Sequence, residues 1–418
     1  MHSEVQSVRN DAALHRALKP SARNGTTDTE SADRNPGAPA ARPAIRLPHP
    51  HEGKRKLILR CWYSLGDITL LTAAVRELHH AHPGRFLTDL RTPFDDLWLH
   101  NPHLTPIRDG EDGAEIIECG YALLSESNTA PFHAIHSFTE NLAVQLGVRI
   151  RPALFRGDIH LHPMEKAWIP QVASLVGADV PYWIIAAGGK TDITIKWWAT
   201  ERWQAVVDHF RGRLLFVQIG RKDDHHPPLS GVLDLRDRTD VRQLVRLVHH
   251  SAGVLCPVTG VMHLAAAVPV RQNHVHSRPL NRPCVVVAGG REPANWETYP
   301  HHQFLHTLGA LKCCDQGGCW KSRTVPLGDG DQRDQSLCLD VVHPAKPPRT
   351  SPSKIQNSKL NIPPTALPRC MSMITPADVI GAIERYHEAG ASPTISHAGW
   401  KVAAHYLTTD RTIRNNQP

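Results

Sequence analysis

The chain has 418 residues, which is long for one hydrophobic core and suits two domains. Hydrophobic residues make up 41% and charged residues 21% of the chain, as in globular proteins that fold in water. The formal charge of +7 permits an anionic substrate or membrane surface but requires neither. No run approaches the roughly 18 apolar residues of a membrane span, and the first residues show no secretory signal, so we expect a cytoplasmic protein.

The first segment, residues 1–55, contains no Phe, Trp or Tyr. It cannot bury enough apolar surface to offset the entropy of ordering, so we predict a disordered N-terminal extension. Alternating strand and helix patterns follow. The apolar runs 56–63, 85–90 and 115–119 predict strands, and the helical spacing of apolar residues predicts helices over 70–82 and 134–146.

A second alternating series begins near residue 180. Strands are predicted at 182–187, 214–219, 253–257 and 283–287, and helices at 200–210 (capped by Thr200), 241–250, 262–267 and 375–386 (capped by Thr375, with Pro376 first). Regular β-α alternation is typical of parallel sheets covered by helices. The predicted fold class is therefore α/β, with Rossmann-like domains over 56–170 and 180–386, a linker near 160–180 and a cleft between the domains. A loosely attached tail is predicted from residue 390 to 418.

Within the second series, residues 341–366 hold six prolines, four Lys or Arg and no acidic or aromatic residue. This composition predicts a flexible insertion in an otherwise ordered domain.

The turn Ser64-Leu65-Gly66-Asp67 joins the first predicted strand to the first predicted helix. Ligands of open α/β sheets bind outside the carboxyl ends of the strands, so Asp67 would face the cleft and serve as a general base. Taken alone, the local sequence is more typical of a plain helix cap with no catalytic role.

Two later turns have the composition of anion-binding loops. Gly188, Gly189 and Lys190 follow a predicted strand, and Lys196 lies a few residues on. Glycine amides and a lysine favour phosphate, although surface lysines would look the same. Thr259 and Gly260 precede a helix that carries His263, and a hydroxyl, an amide and a helix N-terminus together favour a diphosphate.

Taken in order, these stretches resemble glycosyltransferase family 9, the ADP-heptose:lipopolysaccharide heptosyltransferases and their protein O-heptosyltransferase relatives. The resemblance covers about residues 56–310 and the helix at 375–386. The matching stretches are Gly66-Asp67 with Leu71-Thr72-Ala73-Ala74, Lys196-Trp197-Trp198 with Glu201-Arg202-Trp203, Thr259-Gly260-Val261-Met262-His263-Leu264-Ala265-Ala266, and the strand and glycine loop at 285–293.

The resemblance implies a GT-B fold, in which residues 56–170 form the acceptor domain and residues 180–386 bind the nucleotide sugar. It implies that Asp67 deprotonates the acceptor and that Lys196 stabilises the leaving diphosphate. Thr259, Gly260 and His263 would hold the diphosphate or the adjacent sugar, and no catalytic metal would be needed. Gly188, Gly189 and Lys190, which their own composition predicts to bind the donor, replace the small polar residues that the family has after this strand. The acidic residue that the family has before Thr-Gly is Val258 here, so the exact donor sugar stays open.

Five of the nine cysteines fall between residues 313 and 370. Clustered cysteines in a cytosolic protein favour a metal site over disulfides, so Cys314, Cys319, Cys338 and Cys370 are predicted ligands of structural zinc or iron. The spacing is irregular, Cys313 competes with Cys314, and plain reduced thiols remain the alternative. Protein-modifying heptosyltransferases resemble this chain in carrying a late cysteine-bound iron motif.

The leading hypothesis is an inverting transferase that moves heptose from ADP-heptose to a lipopolysaccharide core sugar or a protein hydroxyl. The alternative is a catalytically degenerate, metal-stabilised GT-B-like binding or scaffold protein. Aromatic and basic residues interleave too sparsely to favour nucleic acid. The sequence leaves open a peripheral contact with the inner membrane and a homo-oligomer.

Overall fold

The computed structural model describes residues 53–221, 223–271, 282–343 and 366–415, with side chains described as far as residue 408. The predicted disordered extension therefore lies outside the described residues, apart from residues 53–55. Most of the predicted insertion at 341–366 also lies outside them.

The first lobe is built on a parallel sheet of three strands, in the order β2-β1-β3. Its strands are β1 (Arg55–Arg60), β2 (Phe86–Arg91) and β3 (Ala114–Glu118). The helices α1 (Leu65–Ala81) and α2 (Ala134–Leu146) pack against each other and against the sheet. All three strands run in one direction, so their carboxyl ends meet at one edge, where Asp67 and Tyr121 lie.

The second lobe has a parallel sheet of six strands, in the order β6-β5-β4-β7-β8-β9. The strands are β4 (Tyr182–Ile185), β5 (Leu215–Gln218), β6 (Leu233–Asp234), β7 (Gly253–Pro257), β8 (Cys284–Gly289) and β9 (His302–His306). The central strands β4, β7 and β8 are buried along their whole length, as expected for a sheet that is covered on both faces.

Helices cover this sheet and connect the two lobes. Between the lobes lie α3 (Pro163–Ala167) and α4 (Gln171–Val176), in the predicted linker. Further along the chain are α5 (Thr200–His209), α6 (Val241–His250), α7 (Gly260–Ala267), α8 (Ala294–Glu297), α9 (Arg369–Met373), α10 (Pro376–Glu388) and α11 (His397–Asn415). A two-stranded antiparallel ribbon pairs β10 (Val341–Val342) with β11 (Leu367–Pro368). Short 3₁₀ turns lie at Asp95–Trp98, Leu124–Glu126, Thr194–Lys196, Lys312–Cys314 and Gln332–Gln335.

The predicted α/β class and its two-lobed arrangement are confirmed, and helix ends follow the local chemistry closely. Thr375 caps α10, with Pro376 as the first helical residue, as predicted. Thr200 does not cap α5: it is the first helical residue, and Ala199 precedes it in an extended conformation without a side-chain cap. The helix at 262–267 begins two residues earlier than predicted, at Gly260.

The prediction of a loosely attached tail after residue 390 is wrong. The chain forms α11 there, and Ile395 and Ala403 are buried in the main apolar cluster. Trp400, Tyr406 and Leu407 pack against the same cluster. The helix α11 also contacts α4, which lies in the linker between the lobes. Helical spacing of these apolar residues was the signal that the sequence interpretation missed.

Among the described helices, none combines the length and apolar character that a bilayer crossing requires.

Candidate active site

Asp67 is the third residue of α1, directly after the carboxyl end of β1. Its Oδ2 accepts hydrogen bonds from the backbone N–H of Ser64 at 2.9 Å and from the Ser64 hydroxyl at 2.7 Å, so Asp67 does cap the helix. Its Oδ1 accepts a hydrogen bond from the hydroxyl of Tyr121. A carboxylate offers about four lone-pair sites, so these bonds leave room for a further proton donor.

Tyr121 follows β3, the neighbour of β1, and so arrives at the same sheet edge as Asp67. Its ring lies 4.7 Å from that of Phe138 and 5.9 Å from that of Trp296, measured between centroids. Burial, followed by the charge of Asp67, raises the pKa of Tyr121 well above its ordinary value. The phenol therefore stays protonated and donates to Asp67. Sequence reasoning missed this residue because it lies in an irregular segment without a motif.

The two lobes meet where the N-termini of α1 and α7 face each other through glycines. A Cβ atom on Gly66 would lie 2.6 Å from His263 Cδ2 and 3.4 Å from the Cα of Gly260. A Cβ atom on Gly260 would in turn lie 3.2 Å from the backbone nitrogen of Gly66. Only residues without side chains allow so close an approach. The structure thus brings Asp67 of the first lobe beside the predicted donor-binding turn of the second.

His263 lies inside this junction and is almost fully buried. Its Nδ1 is 2.7 Å from the hydroxyl of Tyr299, and its Nε2 is 3.5 Å from Oε2 of Glu297. Burial, followed by the charge of Lys196, lowers the pKa of His263 to about 3. The imidazole is therefore neutral at physiological pH, and it acts as a hydrogen-bonding group rather than as a cation.

Lys196 reaches the start of α7 from the loop after β4. Its Nζ lies 2.6 Å from Oε1 of Glu292 and donates to the backbone oxygen of Val258 at 3.1 Å. Arg291 also pairs with Glu292. Burial favours the neutral acid, but the charges of Arg291 and Lys196 outweigh it and lower the pKa of Glu292. Lys196 therefore lies beside Thr259, with an anionic partner that the sequence did not reveal.

The glycine turn after β4 has a packing role of its own. Gly189 exchanges both backbone hydrogen bonds with His225, at 2.9 and 3.0 Å. Gly188 has a φ of 151°, and a Cβ atom there would collide with the carbonyl oxygen of His225. Lys190 is exposed and pairs with Asp192 at 3.2 Å. The turn lies at the carboxyl edge of the sheet, next to β7, but its described contacts are with neighbouring loops.

The late cysteines converge on the turn after β8. A Cβ atom on Gly290 would lie 3.0 Å from the sulfur of Cys314, and one on Gly289 would lie 3.3 Å from the sulfur of Cys370. Cys319 donates its backbone N–H to the oxygen of Gly290 at 3.1 Å. All nine cysteines are unbridged, and Cys61, Cys119, Cys256 and Cys284 are buried.

No three His, Cys, Asp or Glu side chains within the described ranges have positions that would hold a metal ion. The cysteines of the turn are thus neighbours without forming a ligand set as they stand.

Comparison with known proteins places this geometry in context. No family model and no curated protein matches the chain. Among solved structures it is similar to E. coli ADP-heptose lipopolysaccharide heptosyltransferase II, with a TM-score of 0.51 and 13% identity over 81% of this chain and 100% of that one. It is also similar to the iron-containing dodecameric glycosyltransferase TibC of enterotoxigenic E. coli H10407, with a TM-score of 0.50 and 18% identity over 80% of this chain and 76% of that one.

The class that fold and comparison define is the GT-B architecture of two facing Rossmann-like lobes, as the sequence predicted. The resemblance to family 9 heptosyltransferases is confirmed at the level of the fold.

Proposed function

We propose that this chain is an inverting glycosyltransferase that uses a nucleotide-diphosphate sugar, with ADP-heptose as the donor and a hydroxyl of a lipopolysaccharide core sugar or of a protein as the acceptor. One observation carries the proposal. The acid of the first lobe and the Thr259–His263 turn of the second meet at the Gly66–Gly260 contact, with Lys196 beside the turn. The GT-B fold of the heptosyltransferases gives independent support.

In this reaction the acceptor hydroxyl gives its proton to Asp67, and the acceptor oxygen forms a bond to the anomeric carbon. The bond between that carbon and the diphosphate oxygen breaks, and the nucleoside diphosphate leaves with the electron pair. Lys196 and the N-terminus of α7, which opens at Gly260, lie where they would stabilise the growing negative charge. Tyr121 holds the carboxylate of Asp67 in place by its hydrogen bond.

A panel of ADP-, UDP- and GDP-linked sugars tests the donor. The purified protein is incubated with each compound with and without acceptor, and mass spectrometry identifies the nucleotide that is bound or cleaved. We expect ADP-heptose to be selected. If no nucleotide sugar is bound or cleaved, the chain is a binding or scaffold protein on a transferase fold, and the proposal is wrong.

The role of Asp67 needs a control because the same carboxylate caps a helix. Asp378 offers a close match: its Oδ2 accepts from the backbone N–H and the hydroxyl of Thr375, both at 2.7 Å, at the start of α10. Asp67→Asn and Asp378→Asn should each destabilise the fold by about 1 kcal/mol through the lost cap. Only Asp67→Asn should also lower the transfer rate, by about 100-fold or more. Equal rates in the two variants would reduce Asp67 to a cap.

Three further features remain proposals beside this one. Iron or zinc on Cys314, Cys319, Cys338 and Cys370 is tested by metal analysis of the purified protein, with Cys314→Ser as the comparison. A homo-oligomer is tested by light scattering, and contact with an anionic membrane surface by vesicle sedimentation.

A further inference from the structure

Two glutamates of the segment after β8 are buried at the lobe junction. Glu292 is 2% exposed and Glu297 is 8% exposed. Both Oε2 atoms are shielded from solvent, and neither has a hydrogen-bond partner among the described residues; the same holds for the Oγ1 atom of Thr259. A buried polar atom without a partner destabilises the fold, so three in one place indicate a missing partner.

These atoms surround the predicted donor turn. Glu292 contacts Lys196, which in turn contacts the backbone oxygen of Val258, and Thr259 is the next residue. Glu297 lies 3.5 Å from His263 Nε2, on the ring that touches Gly66 of the first lobe. The unsatisfied atoms therefore lie around the contact between Gly66, next to the general base, and the start of α7.

The chemistry of the atoms selects the kind of ligand group. Carboxylate oxygens repel a diphosphate, whereas Lys196, Arg291 and a helix N-terminus attract one. A sugar hydroxyl is uncharged, and it both donates and accepts hydrogen bonds. Position 258 offers no polar side chain, since Val258 is buried and apolar. Recognition of the sugar must therefore come from neighbouring side chains.

We propose that Glu292 and Glu297 bind hydroxyl groups of the transferred sugar, with the hydroxyl of Thr259 completing the sugar subsite. This inference rests on the proposed function, since it assumes a nucleotide-sugar donor at the lobe junction. Both sugar-binding acids then lie in the segment between β8 and β9. Lys196 and Arg291 balance the negative charge of this site.

The two carboxyl groups differ in protonation. Burial, followed by the charge of Glu292, raises the pKa of Glu297 to about 8, while the pKa of Glu292 is lowered because Arg291 and Lys196 outweigh its burial. At neutral pH, Glu297 is mostly a neutral hydrogen-bond donor and acceptor, and Glu292 is an acceptor only. Glu297 can therefore donate a hydrogen bond to one sugar hydroxyl, while Glu292 accepts a hydrogen bond from another.

Calorimetric titration with ADP and with ADP-heptose separates the sugar from the nucleotide. We expect Glu297→Met and Glu292→Gln to weaken ADP-heptose binding about 10-fold or more, because the first removes both oxygens that bond a sugar hydroxyl and the second replaces a charged acceptor by a neutral amide. ADP binding should stay within about twofold for Glu297→Met, and should not weaken for Glu292→Gln, since Lys196 loses its competing anion.

Glu165→Gln is the matched control. Glu165 is also a buried glutamate, paired with Arg242 at 2.5 Å away from the junction, so this variant should bind both ligands like the wild type. Glu297→Asp tests position, because it retains the carboxyl group and shortens its reach, and it should also weaken only ADP-heptose. Thermal unfolding confirms that each variant is folded.

The outcomes distinguish this inference from the function on which it rests. If the wild type binds both ligands and the variants lose ADP and ADP-heptose equally, or lose neither, the assignment of the two glutamates is wrong and the proposed function stands. If the wild type binds neither ligand, the proposed function fails with its donor, and the assignment fails with it.

Discussion

The contact between the two helix N-termini can be tested by adding one methyl group, in Gly66→Ala. The new Cβ would lie 2.6 Å from His263 Cδ2, 3.1 Å from His263 Nε2 and 3.4 Å from the Cα of Gly260. Carbon atoms in contact prefer about 3.5–4.0 Å, so the imidazole would have to retreat by about 1 Å. It has little room, because His263 is buried and its Nδ1 is bonded to Tyr299 at 2.7 Å.

Two effects oppose each other in this variant. Overpacking of a buried site costs about 1–3 kcal/mol. Replacing a helical glycine by alanine gains about 0.5–1 kcal/mol, and Gly66 is not among the glycines with positive φ, so alanine fits its backbone. We therefore expect a net loss of about 1–2 kcal/mol in the free energy of unfolding, together with a fall in transfer rate as His263 shifts beside Asp67.

Gly381→Ala provides the comparison. Gly381 lies within α10, and among the described residues of other turns and elements a Cβ atom there would meet only the Nη1 atom of Arg385, at 3.7 Å. The gain in helix propensity is then unopposed, and we expect stabilisation by about 0.5–1 kcal/mol with unchanged activity. Urea unfolding measures the stabilities, and release of nucleoside diphosphate measures the rate. If Gly66→Ala is as stable and active as Gly381→Ala, the two helices do not meet as described.

Three further predictions address other parts of the molecule. Tyr121→Phe should lower kcat about 10-fold with little change in the donor KM, because Asp67 loses a positioning hydrogen bond but no donor contact; a change confined to KM would contradict this role. The folded pKa of Glu297 is about 8 against an ordinary 4.5, so the folded state holds the extra proton and the free energy of unfolding should fall as pH rises between these values. Glu297→Gln should flatten that dependence in urea titrations at several pH values, and an unchanged slope would refute it. Arg323 is fully buried and forms ion pairs with Asp329 and Asp334 at 2.8 and 2.6 Å. Arg323→Met leaves both carboxylates without their cation, so it should lower the free energy of unfolding by about 2–3 kcal/mol, a value reduced because Asp329 is partly hydrated. Unchanged stability in thermal unfolding would show that the ion pairs are not formed.

Periodicity and local chemistry determined the elements of both lobes. The predicted helices at Ala134–Leu146 and Val241–His250 and the strand at Gly253–Pro257 have the bounds found in the structure. These elements follow from nearest neighbours in the chain: apolar spacing, a capping side chain or a terminating glycine. The ordered motifs also indicated the GT-B fold, through their resemblance to the family 9 heptosyltransferases.

Tertiary structure alone decided which side chains complete the junction. Tyr121 and Glu292 come from irregular segments after β3 and β8, Glu297 ends the short helix α8, and nothing within a few residues of them marks their role. Their burial, their partners and the protonation of Glu297 arise from groups distant in sequence, such as Lys196 and Asp67. The periodicity of apolar residues indicates which side of a helix or strand is buried. It does not indicate which groups of the other lobe will lie opposite, and those groups determine the electrostatic environment of a buried acid.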